Sequence, residues 1–188
     1  MNDFTLSPDS ISIHYEVHGA GDPAIVFIHG WSCDRSYWEK QLGEFAKRYR
    51  VVAIDLAGHG ESGVNRKEWS QAAFAGDVVA VVEKLDLKRV VLVGHSLGGR
   101  VIATAARLIS GRLVGLVGVD TLSNPMHLRT QQEIEDQLAP FRVDFVAAAM
   151  DIVLSMFVPQ SDPALINNIV GDMSSAPPHV AIDALENS

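Results

Sequence analysis

The sequence predicts an α/β fold: a mostly parallel sheet with an antiparallel hairpin at its N-terminal side and a helical cap after it. Three observations carry this expectation. Apolar runs without polar alternation recur at residues 24–28, 50–56, 90–93 and 113–119, as in strands buried on both faces of a parallel sheet. Stretches with apolar residues at helical spacing lie between them, so strand and helix alternate. Beyond Thr121 only helical patterns follow, which divides the chain into a core over residues 1–122 and a cap over 123–188.

Residues 4–18 read as the hairpin. A short strand at 4–6 turns at Ser7-Pro8-Asp9-Ser10, and Ile11, Ile13, Tyr15 and Val17 then alternate with Ser12, His14 and Glu16. His14 therefore points outward, and His18 sits beside the turn at 19–23. The run at 24–28 ends in His29-Gly30-Trp31 before a helix expected from near Ser36 to Tyr49. Cys33 reads as a small buried side chain, with no activating base near it in sequence. The strand at 50–56 brings Asp55 to its C-terminal end, ahead of the flexible turn Ala57-Gly58-His59-Gly60-Glu61-Ser62-Gly63. Ordering that turn is the role expected of Asp55 and His59. An amphipathic helix over 70–85 leads back to the next strand, a crossover that is right-handed in ~98% of cases.

The chain is organised around what comes next. Val90-Val91-Leu92-Val93 runs into Gly94-His95-Ser96-Leu97-Gly98-Gly99, after which Val101, Ala105 and Leu108 recur at helical spacing. Strand, sharp turn and helix form the context that a G-x-S-x-G match needs. Such a turn strains the serine backbone and brings the residues two before and two after it together, where Gly94 and Gly98 supply the missing side chains. It lifts the Ser96 hydroxyl clear of the sheet and points the first free helical amides, beginning at Leu97, toward whatever the serine attacks. A turn that only packs tightly, or a nucleotide-binding loop, are the alternatives for the glycines alone. The strand at 113–119 then ends at Asp120, and helices are expected near 131–138, 143–157, 163–169 and 179–185. Met150, Met156 and Phe157 read as ordinary packing residues of the cap.

At this point the chain resembles the α/β-hydrolase family, specifically its esterase and lactonase-like members with a helical cap. The resemblance rests on Gly94-His95-Ser96-Leu97-Gly98, on His29-Gly30-Trp31 and on the D-x-x-G-H-G-x-S pattern from Asp55 to Ser62. It implies a serine hydrolase acting on a small ester or lactone, with Ser96 as nucleophile and no metal or organic cofactor. The H-G-x element implies an oxyanion hole, closed by the backbone amides of Trp31 and Leu97, two donors on different loops. Asp at the position of Ser96 would suit a haloalkane dehalogenase; serine does not. His29 precedes the serine, whereas the family order is serine, acid, histidine, so a structural role is expected for it.

The family's last two strands, whose loops carry the catalytic acid and histidine, have no counterpart before Ser188. His127 and His179 are the histidines after Ser96, and neither follows a strand in the family manner; both read as cap or loop residues. Asp120 ends a strand on the catalytic side and is kept as a candidate acid. The expected fold is thus C-terminally incomplete, with the catalytic His unassigned. A truncated hydrolase is favoured over a half completed by another chain or a non-catalytic ligand-binding or regulatory module.

Totals narrow the partners. With 188 residues, 47% of them hydrophobic and 20% charged, one core that buries roughly 70% of the unfolded surface is within reach. Fifteen Lys and Arg against twenty-three Asp and Glu leave a net charge of -8, which repels nucleic acid and anionic lipid. No run approaches the ~20 apolar residues of a membrane span, and the N-terminus lacks a signal-peptide pattern, so a cytoplasmic location is expected. A single cysteine, Cys33, forms no internal disulfide. The strand at 113–119 is expected to be an unprotected sheet edge, open to self-association or to a complementing chain.

Overall fold

The alternation of buried runs and helical stretches resolves into one six-stranded sheet. A computed structural model describes residues 2–121 and 129–187, so the expected core–cap boundary at 122/123 and His127 lie outside the described residues. The strands are β1 (Asn2–Leu6), β2 (Ser12–His18), β3 (Ala24–Ile28), β4 (Val51–Ile54), β5 (Val90–His95) and β6 (Leu113–Val119), in the spatial order β1-β2-β4-β3-β5-β6. β1–β2 and β2–β4 pair antiparallel, while β3–β4, β3–β5 and β5–β6 pair parallel. β4 and β3 thus lie at the centre, and every residue of both is buried.

Period-2 alternation sends the side chains of these strands into two layers. Val26, Ile28, Val52, Ile54, Val90 and Leu92 face a core completed by helices α2 (Gln71–Lys84) and α3 (Leu97–Leu108). Ile25, Phe27, Val51, Ala53 and Val93 face the other way, against Trp38 and Leu42. These two residues belong to a 3₁₀ turn (Arg35–Trp38) and helix α1 (Glu39–Phe45). The helix expected near 36–49 is therefore shorter, opening as 3₁₀ under the Asp34 cap and giving way to a turn at Ala46.

The strand expected over 50–56 is shorter, Val51–Ile54, and the Asp55 amide prolongs its antiparallel pairing with β2 by donating to the carbonyl of His14 at 3.0 Å. The helices expected near 131–138 and 143–157 appear as α4 (Gln131–Val143), which runs past its expected end, and α5 (Phe145–Ser155), which starts two residues later than expected. Asp144 sets the junction between them: its backbone is extended and its carboxylate accepts from the Ala147 amide, which starts α5. Helices α6 (Pro163–Ser174) and α7 (Pro178–Glu186) follow, each with proline in its first turn.

These four helices rest on the loops that leave the carboxyl ends of β3 and β4. The Trp31 indole donates to the carbonyl of Ala181 at 2.8 Å and meets Phe141 and Phe145 edge-on, and the Tyr37 hydroxyl donates to Asp172 at 2.6 Å. Phe141, Phe145, Met173, Val180 and Ala181 accordingly share one apolar cluster with the sheet. Beside the turn that follows β4, Arg66, with its side chain 2% exposed, forks onto Asp77 of α2 and Asp9 of the first turn, and Asp77 also accepts from the Ala57 amide at 3.1 Å. Burial pushes the Asp77 carboxyl up to about 6 against the pull of Arg66. Nothing in the periodicity of the sequence announces that pair.

Among the described residues the far edge of the sheet is exposed. In β6, Val114 and Leu116 on one face and Val117 and Val119 on the other are 39–47% exposed, and no lysine or proline interrupts the strand. Among the described residues, no helix is long and apolar enough to cross a membrane.

Candidate active site

Ser96 occupies the single residue between β5 and α3, with φ 49° and ψ -116°. A residue with a side chain seldom adopts such angles, and holding one there costs about 1–3 kcal/mol. The surroundings enforce it. The Ser96 amide donates to the carbonyl of Val119 in the neighbouring strand at 3.0 Å, and the Gly99 amide closes the first turn of α3 onto the Ser96 carbonyl at 2.9 Å. A Cβ on Gly94 would collide with the backbone of Gly98 and Gly99, and one on Gly98 with the carbonyls of Ile28 and His29. Both glycines are needed for close approach, as their spacing predicts. Ser96 itself is exposed.

The loop after β3 lies directly against this turn. A Cβ on Gly30 would come within 2.8 Å of His95 Nδ1 and 3.3 Å of Ser96 Cβ, so the residue that follows, Trp31, begins beside the serine. Neither the Trp31 amide nor the Leu97 amide donates a hydrogen bond among the described residues. Two uncommitted N–H groups thus belong to the two loops that meet at Ser96.

The histidines separate by role. His29 is fully enclosed: Nδ1 faces the Gly30 carbonyl at 2.8 Å and Nε2 accepts from the Leu56 amide at 3.0 Å, which fixes the proton on Nδ1. Burial holds it neutral, with its pKa down to about 4. His59 is enclosed as well, Nδ1 facing the Ala57 carbonyl at 3.0 Å, and burial takes its pKa down to about 3. Both therefore organise loops, as expected. His179 lies exposed at the start of α7, its ring 6.0 Å from that of Trp69. Among the described residues none of these rings hydrogen-bonds the Ser96 hydroxyl.

Asp55 is wholly buried and serves the glycine turn. Its carboxylate accepts from the amides of Arg35 at 2.8 Å and Glu61 at 3.0 Å, and pairs with the Arg35 guanidinium. Asp120 stands exposed one residue beyond the Val119 carbonyl that holds Ser96, at φ 47°. Its charge reaches His95, whose pKa burial lowers and Asp120 partly restores. His95 was not singled out in the sequence; with His29, Tyr37, Trp38, Gln41 and Val119 it lines a cavity of about 210 Å³ beside the turn. Cys33 is buried, with its thiol pushed up to about 12, chiefly by burial.

Comparison with known proteins fits this geometry. A sequence profile described as the alpha/beta hydrolase fold matches residues 23–150. A non-heme haloperoxidase from Rhodococcus erythropolis is 39% identical over 132 residues, 65% of this chain and 48% of that protein. The chain thus spans about half the length of that relative. Among solved structures, an esterase from Exiguobacterium antarcticum superposes with a TM-score of 0.87 at 21% identity, covering 100% of this chain and 73% of that one. That likeness concerns the fold alone. A thermophilic esterase from Thermogutta terrifontis, at 28% identity, gives a TM-score of 0.83 over 100% of this chain and 72% of its own.

Proposed function

Because this chain belongs to the α/β hydrolase family, we propose that it carries the nucleophile of a serine hydrolase cleaving small, mostly uncharged carboxylic esters or lactones. The observation that carries the reading is the backbone of Ser96, strained at φ 49° and ψ -116° on the step from strand to helix. Strain of this kind is maintained where the surrounding structure over-determines it and a function uses it.

In this mechanism Ser96 Oγ attacks the carbonyl carbon while a histidine takes the hydroxyl proton and passes it to the leaving alkoxide. Water then cleaves the acyl-enzyme. The amides of Trp31 and Leu97 hold the oxyanion, each such donor being worth about 2.7–4 kcal/mol of barrier. Their lack of other acceptors among the described residues supports the assignment. The histidine is supplied from outside these 188 residues, and the acid with it unless Asp120 serves, a reading supported by the engagement of His29 and His59 elsewhere. Asp120 is retained as the in-chain acid candidate, since it follows the residue that anchors Ser96.

Similarity to a haloperoxidase favours a second reading on the same serine. Hydrogen peroxide would replace water in attacking the acyl-enzyme, releasing a peroxy acid and restoring the serine hydroxyl. Either reading requires Ser96 to become acylated. The test is fluorophosphonate labelling of a full-length form with and without Ser96→Ala, followed by aryl-ester turnover in water and in peroxide. Labelling that depends on Ser96 is expected. If none occurs, the chain is a ligand-binding or regulatory module that keeps a hydrolase pocket.

A further inference from the structure

The two amides assigned to the oxyanion are held differently. Leu97 opens α3, and the elbow around it is fixed within the core by the Ser96 and Gly99 amides. Trp31 sits in a tight turn, closed by the Cys33 amide on the Gly30 carbonyl at 3.3 Å, in which Ser32 takes φ 54°. A residue with a side chain seldom adopts that backbone, so the turn persists only where its surroundings hold it.

Those surroundings act from two directions. The peptide between Gly30 and Trp31 is trans, so its N–H points away from its C=O. His29 Nδ1–H donates to that carbonyl at 2.8 Å, and the Cys33 amide donates to it as well, which fixes the plane of the peptide from the core. The Trp31 Cα is fixed from the cap. Its buried ring meets Phe141 of α4 at 5.5 Å and Phe145 of α5 at 6.3 Å between centroids, both edge-on, and its Nε1–H donates to the Ala181 carbonyl of α7 at 2.8 Å. Three helices therefore close on one side chain. In a close-packed setting such a ring has no room to shift alone, so a displacement of these helices moves the Cα and the amide on it.

We infer that the cap completes the oxyanion hole: by gripping the Trp31 ring, α4, α5 and α7 place the Trp31 amide, so that one donor of the hole is set by the core and the other by the cap. The inference rests on the proposed role of Ser96 and the two amides in ester cleavage. Phe141, Phe145 and the Ala181 carbonyl are positioning groups, since they act through Trp31 rather than on substrate. With the cap out of place, Ser96 keeps its strained turn and Leu97 its amide, while the second N–H drifts from the oxygen it should meet. A misplacement of about 1 Å can cost about 100-fold in rate.

The probe pair is para-nitrophenyl acetate and its thionoester, in which sulfur replaces the carbonyl oxygen. Sulfur accepts hydrogen bonds weakly, so the ratio of kcat/KM for ester over thionoester reports on the oxyanion donors, whereas an unfolded fraction lowers both alike. Two variants are compared with wild type in a full-length form: Trp31→Phe, which removes the indole donor, and Phe145→Leu, which loosens the cage around the ring. Each should lower the ratio by about tenfold, part of the ~100- to 1,000-fold that loss of an oxyanion donor costs. An unchanged ratio in either folded variant, with Ser96-dependent fluorophosphonate labelling retained in the wild type, overturns the inference and leaves the reading of Ser96 intact. A wild type without that labelling overturns both.

Discussion

The imidazole Nε2 of His29 accepts a hydrogen bond from the backbone amide of Leu56 at 3.0 Å, joining the exits of two parallel strands beneath the elbow. With Nδ1 committed to the Gly30 carbonyl, the ring fixes the loop that carries Trp31 and leaves no lone pair for proton transfer. His29→Ala should therefore cost about 1–3 kcal/mol, the penalty for a buried amide left without an acceptor. Chemical denaturation measures it. Fluorophosphonate labelling of Ser96, per folded molecule, should persist; if it vanishes while the fold survives, His29 belongs to the chemistry.

His59 gives the fold a pH dependence of known sign. Its folded pKa, about 3, lies below the value of about 6.5 for a free imidazole. The unfolded chain therefore binds a proton that the folded chain refuses as pH falls through 6.5, and stability drops on the order of 1.4 kcal/mol per pH unit from this group. Between pH 7 and 5 the protein should lose about 2 kcal/mol more than His59→Phe loses. Equal losses in urea denaturation at the two pH values would show that His59 is protonated in the native state.

Strain at Ser96 predicts a trade between stability and labelling. Glycine tolerates φ 49° and ψ -116° where serine and alanine do not. Ser96→Gly should exceed Ser96→Ala in unfolding free energy by about 1 kcal/mol, and neither variant should react with a fluorophosphonate. Thermal melts of the pair decide it. An alanine variant as stable as the glycine one would mean that the turn carries no strain.

Exposure of β6 predicts association. Val114, Leu116, Val117 and Val119 present apolar side chains on both faces of an edge strand, so the isolated chain should self-associate with rising concentration. Light scattering should register this, and Val117→Lys, which places a charge on the edge, should reduce it. A wild-type chain that stays monomeric at high concentration would mean that the edge is covered.

Much of the fold is legible in the sequence because short-range patterns encode it. Uninterrupted apolar runs give β3, β5 and β6, proline and capping residues start α6 and α7, and glycine spacing gives the turn at Ser96. Where the expectations were off, a single polar side chain had redirected the backbone. Asp144 starts α5 just inside the helix expected from 143, and β4 gives way to a loop at Asp55, whose carboxylate accepts from the amides of Arg35 and Glu61.

The sequence by itself determined that a serine stands at a strained step between a buried strand and a helix, since Gly94 and Gly98 flank it at the only spacing that lets the backbone close. The tertiary structure decided what surrounds that serine. Apposition of Gly30 to Ser96, the tautomer of His29, the reach of Asp120 to His95 and the bond from the Trp31 indole to Ala181 all join residues from separate elements. Such contacts depend on burial and on which neighbour fills each hydrogen bond, and those are settled only when the helices pack against the ends of the strands.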